Sequence, residues 1–237
     1  MIPNEVFWHD LEHSGYVADL PIWLKISKSV QGRTVELGCG TGRVTNFLGS
    51  SGVLVTGIDR EPNLLAALAA RRVTGSRVEA CCSDILLESK PPSASVFIAP
   101  AMFFQTVGPE ASRIALFSRL KEGFEIGGLL AISVVEGLRA FSAEELSTVP
   151  ACTVNCNGTT YQSRVAAMRE AGGAFEMVRE RSANGELVDT STETLSSWSI
   201  SAASKEAESA GLRLAITSTV RATGRHGPMS VLVFHAN

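Results

Sequence analysis

The chain has few of the residues that mark a metal site or a disulfide framework. Its 237 residues include only five cysteines, none in a C-x-x-C pair, and only four histidines. No histidine lies near a cysteine at a metal-ligand spacing, so we expect no metal site. The odd number of cysteines is typical of ordinary buried thiols in a reducing compartment.

Excess positive charge and long apolar runs are also missing. The sum of Lys and Arg is 21 against 24 Asp and Glu, a formal net charge of -3, and no basic run is present. Such a chain has no general attraction for phosphate backbones, so we expect no nucleic-acid partner. No apolar run is long enough to cross a bilayer, and residues 1–10 carry charges rather than an apolar signal segment. We therefore expect a cytoplasmic protein with no membrane partner.

What the chain does have is apolar material in a regular order. Hydrophobic residues make up 45% of it, enough for a substantial core. From residue 34 to residue 136, short apolar runs alternate with helical patterns, which is typical of βαβ units. The predicted strands are 34–37, 53–58, 77–82, 96–99 and 129–135, the last after a Gly127-Gly128 turn. The predicted helices are 43–48, 63–72 and 110–122.

The pattern then changes to hairpins. Asn157-Gly158 and Asn184-Gly185 lie between β-prone runs, and Asn-Gly is the strongest short-range hairpin signal. Antiparallel strands are predicted at 159–168, 174–181 and 186–195. A helix over 202–210 and strands at 213–220 and 229–234 follow, the last two joined by the turn at 224–228.

These elements predict one α/β chain in four segments. The fold class is a doubly wound, mostly parallel, seven-stranded sheet (Rossmann-like) with an antiparallel β insert after the fifth strand. Residues 1–33 are expected to form a helical lid, with a helical stretch over 16–28, and residues 34–150 the core. Residues 151–199 form the insert, which either covers a pocket or makes a homodimer contact. Residues 200–237 complete the core sheet.

The central motif is Glu36-Leu37-Gly38-Cys39-Gly40-Thr41-Gly42, a glycine-rich turn between a strand and a helix. Such a turn lets a ligand approach the main chain at the carboxyl end of a parallel strand. A dinucleotide fingerprint needs a third glycine where Arg43 stands, which argues against an NAD-dependent oxidoreductase. A phosphate-binding P-loop needs a lysine that is absent.

This motif resembles the first motif of class I methyltransferases that use S-adenosylmethionine (SAM), and the resemblance continues downstream. It implies that Asp59, after the second strand, binds the ribose hydroxyls and that Asp84, after the third, lies near the adenine. Glu36 either organises the turn or contacts the amino group of the ligand. The implied cofactor-binding residues are Tyr16, Glu36, Gly38, Cys39, Gly40, Asp59, Arg60, Asp84, Ile85 and Ala99. The cofactor would be SAM and the product S-adenosylhomocysteine.

Candidate acceptor residues lie in three places. Tyr16, in the predicted lid, is a candidate for contact with SAM or substrate. Phe103-Phe104-Gln105 follows the fourth strand near the expected position of the methyl group, and Gln105 is its polar group. His226 lies in the turn before the last strand. Tyr16, Gln105 and His226 are therefore the candidate catalytic residues, while Tyr161 and Arg164 are polar candidates on the insert.

The expected activity is methyl transfer to an amine or hydroxyl of a small molecule or short peptide. The Asn-Pro-Pro-Tyr type motif of nucleic-acid and glutamine N-methyltransferases is absent, since the fourth strand ends in Ala99-Pro100-Ala101. The region of Phe103-Phe104 and the C-terminal tail are loosely similar to N-methyltransferases of actinobacterial peptide and amino-sugar pathways. No residue is identified as a general base, which favours an amine. The alternative function is a non-catalytic SAM- or nucleotide-binding sensor or partner protein on the same fold.

Overall fold

The computed structural model describes residues 4–88, 90–224 and 226–236. Residues 1–3 of the predicted lid and Arg225 of the predicted turn lie outside this range. The helices are α1 Glu5–His13, α2 Leu20–Ser27, α3 Arg43–Ser50, α4 Pro62–Ala70, α5 Phe103–Thr106, α6 Glu110–Glu122, α7 Ala143–Ser147 and α8 Ile200–Ser209. The strands are β1 Arg33–Leu37, β2 Leu54–Asp59, β3 Val78–Cys82, β4 Ala94–Ala99, β5 Phe124–Val134, β6 Cys152–Cys156, β7 Thr159–Ala171, β8 Ala174–Ala183, β9 Glu186–Ser196, β10 Leu212–Val220 and β11 Met229–Ala236.

The larger sheet has seven strands in the order β10-β11-β5-β4-β1-β2-β3. Strands β1 to β5 pair in parallel, whereas β11 is antiparallel to both β5 and β10. The strand order reverses between β1 and β4, so a crevice opens at their carboxyl ends. The predicted doubly wound, mostly parallel sheet is confirmed.

Helices cover both faces of this sheet, so its central strands are buried on both sides. All six residues of β4 are buried, a pattern typical of a parallel strand with helices on each side. One core cluster includes Phe97, Phe117 and Trp198, while the other, on the opposite face, includes Trp23 and Leu68. Trp8 and Trp23 are both fully buried, so they anchor the N-terminal segment.

The beginning of the fifth strand differs from the prediction. Strand β5 begins at Phe124, before the Gly127-Gly128 pair that was expected to precede it. Gly127 has φ +76°, and the pairing with β4 advances from Ala94–Phe124 to Val96–Leu129. The two glycines therefore form an irregularity within the strand rather than a turn before it, as glycine within a strand often does.

The insert is a separate antiparallel sheet in the order β6-β7-β8-β9. The Asn-Gly pairs form two of its three hairpin turns, with positive φ at Asn157, Gly158, Asn184 and Gly185, and Gly172-Gly173, also at positive φ, forms the third. This is the backbone conformation that a two-residue type I′ turn requires. The predicted hairpins are confirmed.

The N-terminal segment contains two helices rather than one. Helix α2 spans Leu20–Ser27, shorter than the predicted 16–28, and the sequence reading missed α1. Helix α1 packs against α4, which covers the larger sheet, and against β6 and β7 of the insert, so it lies between the two parts of the fold. Among the described residues, no helix is long and apolar enough to cross a membrane.

Candidate functional site

The glycine turn after β1 brings bare main chain to the carboxyl edge of the sheet. Gly38, Gly40 and Gly42 have φ of +64°, +52° and +89°, a region that other residues rarely adopt. The turn is fixed by the Cys39 N–H, which donates to the carbonyl of Ile58 at 3.0 Å. A Cβ atom on Gly38 would lie 2.5 Å from the Phe103 ring. Only glycine therefore fits this turn.

Asp59 ends β2 beside the turn and is bound to it. Its Oδ2 accepts a hydrogen bond from the Gly40 N–H at 2.7 Å, and its Oδ1 accepts one from the Glu61 N–H at 3.0 Å. A carboxylate offers about four acceptor positions, so the group can still accept from a ligand diol. The two main-chain bonds hold it in place for that role.

A cavity of about 850 Å³ lies over this edge. It is bounded by the glycine turn, the ends of β2, β3 and β4, helix α1 and one face of the insert sheet. The predicted site residues that line it are Tyr16, Glu36, Gly38, Cys39, Asp59, Arg60, Asp84, Ile85 and His226. Gly40, Ala99 and Gln105 do not line it. Gly40 is buried beneath the His9 ring, and Ala99 is buried within β4.

Glu36 is buried under the turn. Burial raises the pKa of its carboxyl group to about 8, although the Thr45 hydroxyl donates a hydrogen bond to it. A carboxyl group with this pKa is mostly protonated at neutral pH, so it gives little charge to the cavity. Its contact with Thr45 ties the end of β1 to α3, which supports the organising role.

Asp84 follows β3 on the far side of Asp59. Its Oδ1 accepts from the Leu86 N–H at 2.9 Å in a short turn, and no described residue forms a hydrogen bond with its other oxygen. Ile85 beside it is buried and offers an apolar wall. The residues present therefore fit the predicted nucleoside cofactor: bare main chain at Gly38, a fixed carboxylate at Asp59 and an apolar slot with a carboxylate at Asp84.

Tyr16 is held at the cavity by an ion-pair network that the sequence reading missed. Arg43 donates to the Tyr16 carbonyl at 2.8 Å and forms a bidentate pair with buried Asp19. Trp23 also donates to Asp19, at 2.8 Å. The Arg43 guanidinium lies 5.3 Å from the centre of the Tyr16 ring. The residue that breaks the dinucleotide fingerprint therefore anchors the N-terminal segment.

His226 meets Tyr16 at the cavity wall. Their ring centres are 4.4 Å apart, so two of the three candidate catalytic residues lie in contact. Burial raises the pKa of the Tyr16 hydroxyl above its usual value, with Asp19 adding to the effect. Tyr16 therefore stays protonated at neutral pH.

Gln105 is placed elsewhere. Its side chain is fully buried, and its amide donates to the carbonyls of Val135 and Ser196 at 3.1 and 3.2 Å. Its Oε1 accepts from the Val135 N–H at 2.8 Å. The structure therefore does not place Gln105 in the site as predicted. Its side-chain amide instead binds main-chain groups and joins the ends of β5 and β9.

The segment before Gln105 does reach the cavity. Ala101 and Met102 have φ of +53° and +62°, a costly conformation for residues with a Cβ. Met102 is held there by its N–H, which donates to the Ser133 hydroxyl at 3.0 Å. The turn points Phe103 into the cavity, while Phe104 is buried and stacked on Trp198. Of the two phenylalanines, Phe103 belongs to the site and Phe104 to the core.

Helix α1, in the segment expected to form the lid, adds two histidines that were not among the predicted site residues. His9 and His13 line the cavity with ring centres 4.8 Å apart, and His9 lies over Gly40. Burial lowers the pKa of both, that of His13 to about 3. Both rings are therefore neutral at neutral pH. The signal that was available is Asn4, which caps α1 by accepting from the Phe7 N–H at 3.1 Å.

Tyr161 and Arg164, the two polar candidates on the insert, differ in their position relative to the cavity. Tyr161 packs edge-on against Phe7 and Trp8, with ring centres 4.9 and 6.0 Å apart, and does not line the cavity. Arg164 lies at the cavity but pairs with Glu180 at 2.6 Å. The cavity face of the insert instead presents Arg179 and Glu193, which the sequence reading did not single out.

Comparisons with known proteins agree with this geometry. Residues 35–123 match a family model described as a methyltransferase domain. A comparison with curated proteins finds no significant match. Among solved structures, the chain is similar to the methyltransferase CcbJ of Streptomyces caelestis, with 19% identity, a TM-score of 0.73, and coverage of 94% of this chain and 98% of that one.

Two further structures have the same fold. One is SAM-bound CalS10, an amino pentose methyltransferase of Micromonospora echinaspora, with 16% identity, a TM-score of 0.73, and coverage of 100% of this chain and 99% of that one. The other is the sugar N-methyltransferase KedS8 of a Streptoalloteichus species, with 14% identity, a TM-score of 0.72, and coverage of 98% and 92%. At these identities the similarity establishes the fold.

Proposed function

We propose that this chain is a SAM-dependent methyltransferase that transfers a methyl group from SAM to an amine of a small molecule or short peptide. The match of residues 35–123 to a methyltransferase domain model and the strand order of the larger sheet support this proposal. The observation that carries this proposal is the shared cavity. One wall is the cofactor edge, formed by the glycine turn, Asp59 and Asp84. The opposite wall is formed by α1 and the insert. A cavity of about 850 Å³ has room for a cofactor and an acceptor together.

The chain's own residues would bind and align the reactants. Bound SAM supplies a methyl group on a positively charged sulfur, a good leaving group for in-line displacement. Asp59 and the Gly38 main chain hold the nucleoside end, and Tyr16 and Phe103 exclude water from the acceptor. Aromatic faces also stabilise nearby positive charge.

Three features support an amine over a hydroxyl acceptor. Burial lowers the pKa values of His9 and His13, so both are weak bases that would help little in deprotonating an alcohol, whereas an amine can react through its free lone pair without a base. The raised pKa of Tyr16 keeps its hydroxyl protonated and therefore a poor base toward an alcohol. Two of the structures with the same fold are named as an amino pentose methyltransferase and a sugar N-methyltransferase.

The test combines cofactor binding with turnover. Titration calorimetry should show that S-adenosylhomocysteine binds the chain and that Asp59→Ala weakens it about 10- to 100-fold, since hydrogen bonds to charged groups are worth about 1.5–3 kcal/mol. Glu170→Ala, at an exposed carboxylate on the insert, is the control and should bind as the wild type does.

Labelled SAM with a panel of amines, phenols, alcohols and short peptides then tests catalysis. Transfer to at least one amine, with none to the matched hydroxyl compound, is expected. Binding without turnover of any acceptor would instead favour the sensor function, and unchanged binding in Asp59→Ala would refute the cofactor site.

A further inference from the structure

One arginine of the insert sheet differs from its neighbours. Strands β7 and β8 carry four arginines, and three of them form ion pairs: Arg164 with Glu180, Arg169 with Glu176, and Arg181 with both Glu12 and Asp189. Within the described part of the chain, Arg179 makes no hydrogen bond and no ion pair, although it lines the cavity and is half-buried. A guanidinium has five N–H donors, and removing it partly from water without partners is costly.

Among the described residues, the neighbours of Arg179 provide no hydrogen-bond acceptor for its guanidinium. It stands opposite Val165 on β7 and Ser191 on β9. Glu193, two residues further along β9, lines the cavity but forms no ion pair with Arg179 among the described residues. Partial desolvation raises the pKa of the Glu193 carboxyl group, with nearby Arg179 opposing the change and Glu12 adding to it. Glu12 already accepts from Ser163 and Arg181.

One end of this sheet face is apolar. Beyond Arg179, toward α5, Met177 and then Phe175 follow on the same face of β8. These residues cluster with Met168 and Leu195, and Met102 and Leu138 pack against them. The sheet therefore presents a polar end near α1 and an apolar end near Phe103.

The distance between the two ends follows from strand geometry. Arg179 and Phe175 are four residues apart on β8, and a strand advances about 3.3 Å per residue. The Cα atoms of these two residues are therefore about 13 Å apart. A ligand that contacts both ends needs an apolar portion of similar length.

We infer that the acceptor carries an oxyanion, a carboxylate or a phosphate, that Arg179 binds, and that an apolar portion separates this group from the amine that is methylated. This inference rests on the proposed methyltransferase function. A planar guanidinium pairs with such groups through two parallel hydrogen bonds. Glu193 beside it can accept a hydrogen bond from an N–H or O–H of the same molecule.

The test uses protein saturated with S-adenosylhomocysteine and titrates two matched pairs of probes by calorimetry. 10-Aminodecanoate and 10-aminodecanamide differ in the carboxylate, while 10-aminodecyl phosphate and 10-aminodecan-1-ol differ in the phosphate. In each pair, the anionic probe is the compound that carries the oxyanion. We expect at least one anionic probe to bind at least fivefold more tightly than its partner compound without the oxyanion. Arg179→Gln should remove this preference, and Arg179→Lys, which keeps the charge but not the planar fork, should keep part of it.

Arg169→Gln is the matched control, because Arg169 lies on the same sheet, is exposed and pairs with Glu176 away from the cavity. It should keep the full preference. The inference is overturned if neither anionic probe binds better than its partner compound, or if Arg179→Gln retains the preference. Binding of S-adenosylhomocysteine, measured first for every variant, shows whether each one is folded. Failure of the wild-type protein to bind S-adenosylhomocysteine would count against the proposed function and not against the anion site, and Arg179→Lys serves as the test variant if Arg179→Gln does not fold.

Discussion

The cavity has two walls that differ in how the chain builds them. The cofactor edge is made of short segments that directly follow parallel strands: the glycine turn after β1, Asp59 at the end of β2 and Asp84 after β3. The acceptor wall is made of α1 and the face of β7, β8 and β9, which are joined by hydrogen bonds between distant residues such as Glu12 and Arg181. The first wall depends on local backbone geometry and the second on tertiary contacts. The difference predicts that substitutions will affect the two walls in different ways.

The largest expected effect is Gly40→Val at the cofactor edge. Gly40 has φ +52°, and an added side chain would collide with the His9 imidazole. We expect the affinity for S-adenosylhomocysteine to fall at least about 100-fold, equivalent to roughly 2.7 kcal/mol, measured by titration calorimetry. The matched control is Gly158→Val, at a glycine of the insert with φ +80° and no neighbour near its Cβ position. It should lower stability by strain but leave the affinity unchanged. Equal effects on affinity would mean that the two walls are not independent.

The next effect tests the link between α1 and the insert. Glu12 is buried and accepts hydrogen bonds from Ser163 at 2.7 Å and Arg181 at 2.8 Å. We expect Glu12→Gln to lower the free energy of unfolding by about 1.5–3 kcal/mol in urea titrations. Glu180→Gln, which breaks the exposed pair with Arg164, should change it by less than about 1 kcal/mol.

The effect of Glu12→Gln on the free energy of unfolding should also depend on pH. Burial alone would raise the pKa of Glu12, but the hydrogen bonds from Arg181 and Ser163 outweigh it and hold the pKa below its ordinary value of 4.5. A depressed pKa stabilises the fold above about pH 4.5, and this stabilisation is lost as the pH falls through the lower, folded-state value. The stability difference between wild type and Glu12→Gln should therefore shrink in acid. A constant difference down to pH 2 would contradict the role of the charge.

The smallest effect is expected at Tyr16, where the two walls meet. Its hydroxyl makes no hydrogen bond within the described residues, whereas its ring contacts Arg43 and His226. Tyr16→Phe should therefore keep stability within about 0.5 kcal/mol and cofactor affinity within about threefold, while Tyr16→Ala should weaken both more. A loss of more than tenfold in Tyr16→Phe would show that the hydroxyl binds the cofactor directly.

The same contrast explains how far the sequence could predict the molecule. Strands β1 to β5, the two Asn-Gly hairpins and the cofactor edge were predictable because each has a local signal: an apolar run, a turn dipeptide, or a glycine or carboxylate at a strand end. Arg179 and Glu12 carry no such signal. Their importance depends on which residues face the cavity, and that is decided by packing between segments far apart in the chain.

Gln105 shows a second limit of prediction from the sequence. The sequence places Phe103, Phe104 and Gln105 near the site but cannot tell which of them faces it, because α5 is a single turn and its phase is set by the left-handed backbone at Ala101 and Met102. Without that information, a polar residue beside two aromatics is easily taken for the functional one. The structure gives that position to Phe103 instead.

The bonds from Glu12 to Ser163 and Arg181 also set an order of assembly. These residues are separated by 151 and 169 positions, so closing that loop costs more chain entropy than forming any βαβ unit. During synthesis on the ribosome, every strand that carries the glycine turn, Asp59 and Asp84 has been made before the insert emerges. More than half of the chain is therefore synthesised before the residues of β7 and β8 that bind helix α1 are available.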